Sequence, residues 1–254
     1  MNSLKETLAS LRPRKVQGYC LGAAKTGTTS LSHMLTPHLR SAHEPETPET
    51  TQLVMDYLSG NMTESACTAA VKKRDRRLNL EFESSHPLGY LTPQLVGLYP
   101  AAKFIITVRE PSAWLASRIS FHAKRQPAEW QPYRDFIWRR HHRGYSHSER
   151  ILEENGLYSL DAYLAQYSEQ YRILFDSIPS SQQLVIRTED ISHKLADIRQ
   201  FLGLKGELDS VHTNQMAKAD SILAKLDPHF VSDKVEQHCS WLMNTYWKTN
   251  KETA

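Results

Sequence analysis

A lysine and three threonines lie within a glycine-framed segment near the start of the chain. The glycine loop, residues 22–29 (GAAKTGTT), follows a short apolar run at residues 17–22 and precedes the helical spacing of residues 28–39. A loop between a strand and a helix binds phosphate because its backbone N–H groups and the positive end of the helix dipole face the anion. The pattern therefore predicts a nucleotide phosphate site.

The position of the lysine argues against ATP hydrolysis. A Walker A loop has lysine directly after its second glycine, where Thr28 stands here, and Lys25 comes two residues before that glycine. The strand-like run at residues 103–108 ends in Arg109, whereas an ATPase would have a magnesium-binding aspartate there. An arginine at this place predicts an anion site, and no metal is expected.

A second pair of residues suits a phosphate monoester. Arg109 ends the KFIITV strand, and Ser117 follows eight positions later on a helix that begins near Pro111. The guanidinium fork and one hydroxyl match the oxygens of a phosphate. Ligands of open α/β sheets bind at the carboxyl ends of the strands, which is where Arg109 is expected.

These residues resemble the sulfotransferases. The family's phosphosulfate loop commonly contains Lys-Ser-Gly-Thr-Thr, close to KTGTT at residues 25–29, and an Arg with a Ser eight positions later binds the donor's 3′-phosphate. The resemblance implies the donor 3′-phosphoadenosine 5′-phosphosulfate (PAPS), with Lys25 stabilising charge on the leaving group. The donor-binding residues it implies are Lys25, Thr26, Gly27, Thr28, Thr29, Ser30, Arg109 and Ser117. Ser30 stands where many cytosolic members have an aromatic residue.

The general base has two candidates. His86, in Ser84-Ser85-His86-Pro87, stands where cytosolic sulfotransferases carry Lys-Thr-His with a basic histidine, and Ser84 replaces their lysine. Glu44, 19 positions after Lys25, or Glu46 resembles the glutamate of carbohydrate-modifying members. We favour His86 because imidazole titrates near neutrality, whereas a carboxylate would need a raised pKa.

The acceptor is expected to be a small molecule or glycan, such as a carbohydrate or natural product, with a hydroxyl or amine to be sulfated. The aromatic and basic segment at residues 124–155 reads as an insertion whose Trp, Tyr, Arg and His side chains could line its pocket. Two alternatives remain, a P-loop nucleotide kinase or NTPase and a non-catalytic protein that binds adenosine bisphosphate. Nucleic-acid binding through residues 139–143 has only a short basic run in its favour.

Alternating strands and helices must position these residues. Strands are predicted at residues 17–22, 78–82, 103–108 and 183–187, with residues 103–108 at the sheet centre. Helices are predicted at residues 28–39, 91–99, 158–178, 196–202 and 234–248, and a polar loop at residues 212–220. The pattern predicts one domain over residues 1–254. It has a P-loop-like, three-layer α/β/α architecture around a parallel sheet, with a C-terminal helical extension at residues 221–254.

Composition is consistent with a globular enzyme. The 254 residues include 31 Lys and Arg against 28 Asp and Glu, a net charge of +3 that is too balanced for a nucleic-acid coat. Three widely spaced cysteines, Cys20, Cys67 and Cys239, predict neither a disulfide framework nor a zinc site. With no signal-peptide pattern and no run of about 18 apolar residues, a cytoplasmic protein without a membrane span is expected.

Overall fold

Five parallel strands form one sheet in the order β2-β3-β1-β4-β5. The computed structural model describes residues 12–124, 127–209 and 222–247. The strands are β1 Gly18–Cys20, β2 Ser41–His43, β3 Phe82–Ser84, β4 Lys103–Val108 and β5 Gln183–Arg187. In register, Cys20 lies beside both Ser84 and Ile105, and Ser84 lies beside His43.

Helices cover both faces of this sheet. Within the described ranges the α-helices are α1 Thr28–Leu35, α2 Thr47–Leu58, α3 Glu64–Leu78, α4 Thr92–Leu98, α5 Pro111–His122, α6 Gln131–Arg139, α7 Arg150–Glu154, α8 Leu160–Ser177, α9 Leu195–Leu202 and α10 Pro228–Tyr246. Short 3₁₀ helices occupy Pro87–Leu91, Ala128–Trp130, His147–Glu149, Ser180–Gln182, Thr188–His193 and Ile222–Lys225. None of the helices in these ranges is long and apolar enough to cross a membrane.

Two separate hydrophobic clusters confirm the three-layer architecture. Ile105 of β4 packs with α1 and α9 on one face, whereas Phe104 and Ile106 face the cluster formed with α5 and α8 on the other. Successive side chains of a strand point to opposite faces of the sheet, so a strand that is apolar at every position is buried on both faces. The burial of β4 on both faces is confirmed, but its place at the sheet centre was wrong, because β1 is the middle strand.

The largest error in the predicted elements lies before β3. A strand was predicted at residues 78–82, yet Leu78 is the last residue of α3 and the strand begins at Phe82. Thr63 caps α3 by accepting a hydrogen bond from the Ala66 amide, and Asn79 ends it in the left-handed conformation. The helix is strongly charged and little of it is buried, so its sequence carries a weak amphipathic signal.

Two further segments differ from their predictions. Residues 124–155 contain α6 and α7, and Tyr133, Ile137 and Trp138 are buried in the main core, so this segment is a wall of the domain. Helix α10 begins at Pro228, six residues before the predicted start, because Asp227 caps it through the His229 amide. The loop predicted at residues 212–220 lies outside the described residues, as does the last residue of the predicted helix 234–248.

The three cysteines are all buried, and none of them forms a disulfide. Burial raises the pKa of the Cys67 thiol to about 11 and that of Cys239 to about 12. Thiols with raised pKa values are poor nucleophiles, because little of the reactive thiolate is present near neutral pH.

The first glycine of the loop should be irreplaceable for stability. A Cβ at residue 22 would lie 2.1 Å from Thr107 Oγ1 and 2.5 Å from Thr107 O, so we expect Gly22→Ala to lower the free energy of unfolding by about 3 kcal/mol. Gly97→Ala is the matched control, because nothing lies within 4 Å of its Cβ position in α4. It should raise stability by about 0.5–1 kcal/mol. Urea unfolding measures both, and equal midpoints would contradict the steric argument.

Candidate active site

The candidate residues meet at the carboxyl edge of the sheet. The glycine loop follows β1, Glu44 follows β2, His86 follows β3 and Arg109 follows β4. Because all the strands are parallel, these four chain segments leave the sheet on the same side. The predicted site is therefore assembled where open α/β sheets bind their ligands.

Side chains from distant segments hold the carbonyl oxygens of the glycine loop. Trp114 Nε1 donates to Ala24 O at 2.9 Å, Arg109 Nη1 to Lys25 O at 3.1 Å and Thr188 Oγ1 to Thr26 O at 2.9 Å. In a planar trans peptide the C=O and the following N–H point in opposite directions. Holding three successive carbonyls therefore turns the amides of residues 25–27 the other way, as anion binding requires.

The loop continues into an uncapped helix. Gly27 is the N-cap of α1, it contributes no side-chain cap, and the first turn of α1 contains no acidic residue. The first N–H groups of a helix have no partner within the helix, so this end attracts anions. Gly27 has φ of 98°, and a Cβ there would lie 2.4 Å from Ile191 Cδ1. Only glycine fits this turn.

Lys25 lies among other cations and holds a rare backbone conformation. Its φ is 73°, in the left-handed region that costs a non-glycine residue of the order of 1 kcal/mol. Its Nζ is 4.6 Å from the centroid of the Phe121 ring. Burial lowers the pKa of Lys25, and the nearby charges of Arg118 and Arg109 lower it further. A bound anion would relieve this repulsion.

Glu44 and His86, predicted as alternative bases, are hydrogen-bonded to each other. The Glu44 carboxylate contacts His86 Nδ1. Burial opposes ionisation of Glu44, but the charge and hydrogen bond of His86 outweigh it and lower the pKa of the carboxyl. An ionised carboxylate can only accept a hydrogen bond, so Nδ1 carries a proton, and in the neutral form of the ring the lone pair is on Nε2. The two residues thus form one dyad.

A second histidine, His43, joins the end of β3 to the glycine loop. His43 Nδ1 donates to Ser84 O at 3.1 Å, and Nε2 is 2.9 Å from Thr29 Oγ1. Burial is the main reason that the pKa of His43 is lowered, which favours the neutral ring. Since a carbonyl can only accept, Nε2 is unprotonated and accepts from the Thr29 hydroxyl. His43 was not singled out from the sequence.

Glu46, the other predicted carboxylate, is turned away from the site. It makes two hydrogen bonds to Arg77, at 3.0 Å and 2.5 Å, and does not line the cavity that contains Glu44. The backbone of Glu44 and of Glu46 is left-handed, with φ of 49° and 52°. Arg74, in a buried ion pair with Glu83, holds this turn by donating to Pro45 O at 2.9 Å.

The dyad, Lys25, Thr28 and Thr29 line one cavity of about 270 Å³. Its walls include Trp130, Tyr133 and Trp138 from the segment predicted to form an acceptor pocket. The His86 ring stacks on Trp130, with centroids 5.2 Å apart and planes inclined by 19°. Gln170 Nε2 donates to His86 O at 2.9 Å and holds the backbone of this residue.

The other predicted donor-binding residues lie around this cavity without lining it. The hydroxyl of Thr26 is bonded to Ala23 O at 2.6 Å and to Thr107 Oγ1 at 2.7 Å, which leaves its backbone amide for a ligand. Arg109 contacts the loop through Lys25 O, and Ser117 is half-buried on α5. Ser30, half-buried in the first turn of α1, also lies outside the lining.

Ser84, which stands at the position of the family's lysine, is structural. It is fully buried, and its hydroxyl donates to Thr28 O at 2.8 Å, joining β3 to the start of α1. No cation is supplied from this position. Two arginines that the sequence did not single out, Arg118 and Arg134, line the cavity instead. Nothing in the sequence distinguished them, because arginines on helices usually face solvent.

Comparison with known proteins identifies the class. Residues 19–205 match the family described as sulfotransferase domain, which is more than half of the chain. The chain belongs to this sulfotransferase family, and its function as an enzyme is that of a sulfotransferase. No curated protein sequence matches it.

Similarity to one solved structure supports the fold. A sulfotransferase from Alicyclobacillus acidocaldarius is 17% identical, with a TM-score of 0.51, over 89% of this chain and 95% of that one. The sulfotransferase domain of the Synechococcus PCC 7002 olefin synthase is 16% identical, with a TM-score of 0.42, over 96% of this chain and 90% of that one. The sulfotransferase domain from the curacin biosynthetic pathway is also 16% identical with a TM-score of 0.42, over 94% of this chain and 92% of that one.

Proposed function

We propose that this sulfotransferase moves a sulfuryl group from PAPS to a hydroxyl or amine of a small-molecule or glycan acceptor held in the cavity. One observation carries the proposal. Lys25, Thr28, Thr29 and the Glu44–His86 dyad all line the same cavity. A group that binds the leaving phosphate and a group that can take a proton are therefore both within reach of one bound acceptor.

The residues at the loop fit the anionic part of such a donor. The amides of residues 25–29 and the end of α1 suit its 5′-phosphate, while Arg109 and Ser117 suit its 3′-phosphate. When bound, PAPS supplies a sulfuryl group already activated by its bond to phosphate. The chain must therefore align the two reactants, take one proton and stabilise one departing charge.

Each of these tasks has a candidate residue. His86 Nε2 accepts the proton of the acceptor as the new S–O or S–N bond forms, and Glu44 stabilises the resulting imidazolium through Nδ1. The bond between sulfur and the bridging oxygen breaks, and the Lys25 ammonium and the loop amides meet the charge left on that oxygen. Neutral His43 fixes the Thr29 hydroxyl at the edge of the loop.

The first test is donor recognition, measured by calorimetry with 3′,5′-adenosine bisphosphate and with ATP. We expect the bisphosphate to bind more tightly than ATP. A preference for ATP would overturn the proposal, because the loop lysine would then act as a nucleotide anchor. The measurement needs no acceptor, so it is independent of the choice of acceptor class.

Arg109 has two candidate contributions that the same titrations separate. If it binds the 3′-phosphate, Arg109→Ala should lower the affinity for 3′,5′-adenosine bisphosphate by about 10- to 100-fold and leave the affinity for 5′-AMP unchanged. If it only holds Lys25 O, the affinities for both nucleotides should fall equally. We expect the selective loss, with a smaller selective loss for Ser117→Ala. Arg139→Ala is the control, because Arg139 is an exposed arginine on α6.

A further inference from the structure

Four buried polar atoms without hydrogen-bond partners share one wall of the cavity. Within the described residues, no partner is found for Arg118 Nε, His122 Nε2, Tyr133 Oη or Arg134 Nε. All four side chains line the cavity, and they come from the neighbouring helices α5 and α6. We call this set the arginine wall. A buried polar atom without a partner is destabilising, so such a cluster indicates a ligand that completes it.

Arg118 is the more deeply buried of the two arginines in the arginine wall. The residue is 8% exposed, and its guanidinium lies 5.7 Å from the Phe121 centroid and 5.4 Å from that of Trp138. Burial lowers the pKa of Arg118 to about 10. Contacts with aromatic faces stabilise a cation but provide no hydrogen-bond acceptor. Its Nε–H is therefore available to an oxyanion.

The other members offer complementary hydrogen bonds. His122 is 6% exposed, and its Nδ1 is 2.8 Å from the Tyr163 hydroxyl, which fixes the ring and leaves Nε2 at the wall. Tyr133 is 4% exposed, and its ring packs edge-on against both His86 and Trp130. Through Tyr133 the wall therefore contacts His86, the proposed base.

The charges of the cavity are unbalanced. Among its described lining residues Glu44 is the one carboxylate, whereas Lys25, Arg118 and Arg134 are cations. Glu44 is bonded to His86, and Lys25 belongs to the glycine loop. An anion bound at the loop would neutralise Lys25. The carboxylates that act on the two arginines, Glu44 for Arg118 and Asp135 for Arg134, are already hydrogen-bonded to His86 and Tyr158. A second negative group in the cavity would pair with the arginines directly.

We infer that the arginine wall binds an anionic group of the acceptor, a carboxylate or a similar oxyanion, and so selects acceptors that are already negatively charged. This inference rests on the proposed function, which assigns the cavity to the acceptor. Two arginines, an imidazole and a phenol surround the oxyanion, while Trp130 and Trp138 contact an adjoining ring. The acceptor hydroxyl then lies toward His86, which stacks on Trp130.

A matched pair of phenols tests this selectivity. 4-Hydroxyphenylacetate and 4-ethylphenol share a ring, a hydroxyl and a two-carbon substituent, and they differ in the carboxylate. Calorimetry is carried out with the protein saturated with 3′,5′-adenosine bisphosphate. The wild type should bind the acid at least about tenfold more tightly. Arg118→Met and Arg134→Met should bring the two affinities close together, chiefly by weakening the acid.

Controls separate this effect from loss of folding and from failure of the proposed function. Arg139→Met removes a charge from the exposed face of the same helix as Arg134 and should keep the preference. Arg134 is only half-buried, so its variant remains informative if Arg118→Met does not fold. A wild type that does not bind adenosine bisphosphate contradicts the proposed function before any phenol is added.

Three results would overturn the inference. The first is an acid that binds no more tightly than 4-ethylphenol, including no binding of either. The second is a preference that survives in Arg134→Met. The third is an Arg118→Met variant that loses affinity for PAPS relative to 3′,5′-adenosine bisphosphate but keeps its affinity for the acid. Arg118 would then bind the sulfuryl group of the donor.

Discussion

His86→Ala is expected to lower kcat by about 10³-fold while 3′,5′-adenosine bisphosphate binds as tightly as to the wild type. The imidazole lines the cavity, and its Nδ1 is already committed to Glu44, so Nε2 is the one ring nitrogen that can take a proton. Turnover is measured with PAPS at saturating acceptor, and nucleotide affinity by calorimetry.

Glu44→Gln should reduce kcat by about 10²-fold in the same assay. An amide can donate to Nδ1 as well as accept from it, so the tautomer with a free Nε2 lone pair is no longer enforced. Because the two residues act as a unit, the double variant should lose little more than His86→Ala alone. Glu46→Gln is the matched control, since that carboxylate pairs with Arg77 outside the cavity.

The opposite ranking would reassign the base. If His86→Ala retains near-normal turnover and Glu44→Ala is inactive, the carboxylate itself takes the proton. The dyad would then serve to hold the acceptor near Glu44. A strictly additive double variant would also contradict the coupled arrangement.

Lys25→Met should lower kcat by about 10²- to 10³-fold, the cost of removing one charged donor from a developing oxyanion. Methionine keeps the apolar contact with Phe121, so the change removes mainly the charge. Lys103→Met is the matched control, because Lys103 also lies over a phenylalanine, Phe201, at the amino end of β4. Equal turnover in the two variants would exclude Lys25 from the chemistry.

The pH profile of kcat/KM independently tests whether Lys25 acts as an ammonium group. Burial, followed by the neighbouring arginine charges, lowers its pKa, so the active ammonium form is lost at a lower pH than for an exposed lysine. The alkaline fall in kcat/KM should therefore begin below pH 10.5, the ordinary lysine value, and should move upward in Lys25→Arg. An unchanged alkaline limb would mean that another group controls it.

Local sequence signals were sufficient for the glycine loop and for β4. The glycines at positions 22 and 27 form a recognisable local pattern, although the atoms that exclude a Cβ there belong to Thr107 and Ile191. A strand buried on both faces must be apolar throughout. Signals of this kind depend on residues close together in the chain.

The Glu44–His86 dyad could not be predicted in the same way. The two residues are 42 positions apart, and their contact depends on β2 lying beside β3 at the sheet edge. From the sequence they were rivals for one role, whereas the sheet order makes them partners. Arg118 and Arg134 gave no signal either, because the packing of α5 against α6 decides whether a helical arginine faces solvent or a cavity.

The carbonyl contacts of the glycine loop limit how it could be engineered. The residues that hold Ala24, Lys25 and Thr26 lie 90, 84 and 162 positions away, at Trp114, Arg109 and Thr188. Transplanting residues 22–29 into another α/β scaffold would transfer the amides without the side chains that orient them. A working graft would have to include an arginine and a tryptophan from the β4–α5 segment and a threonine that follows β5, so the smallest portable unit is most of the sheet.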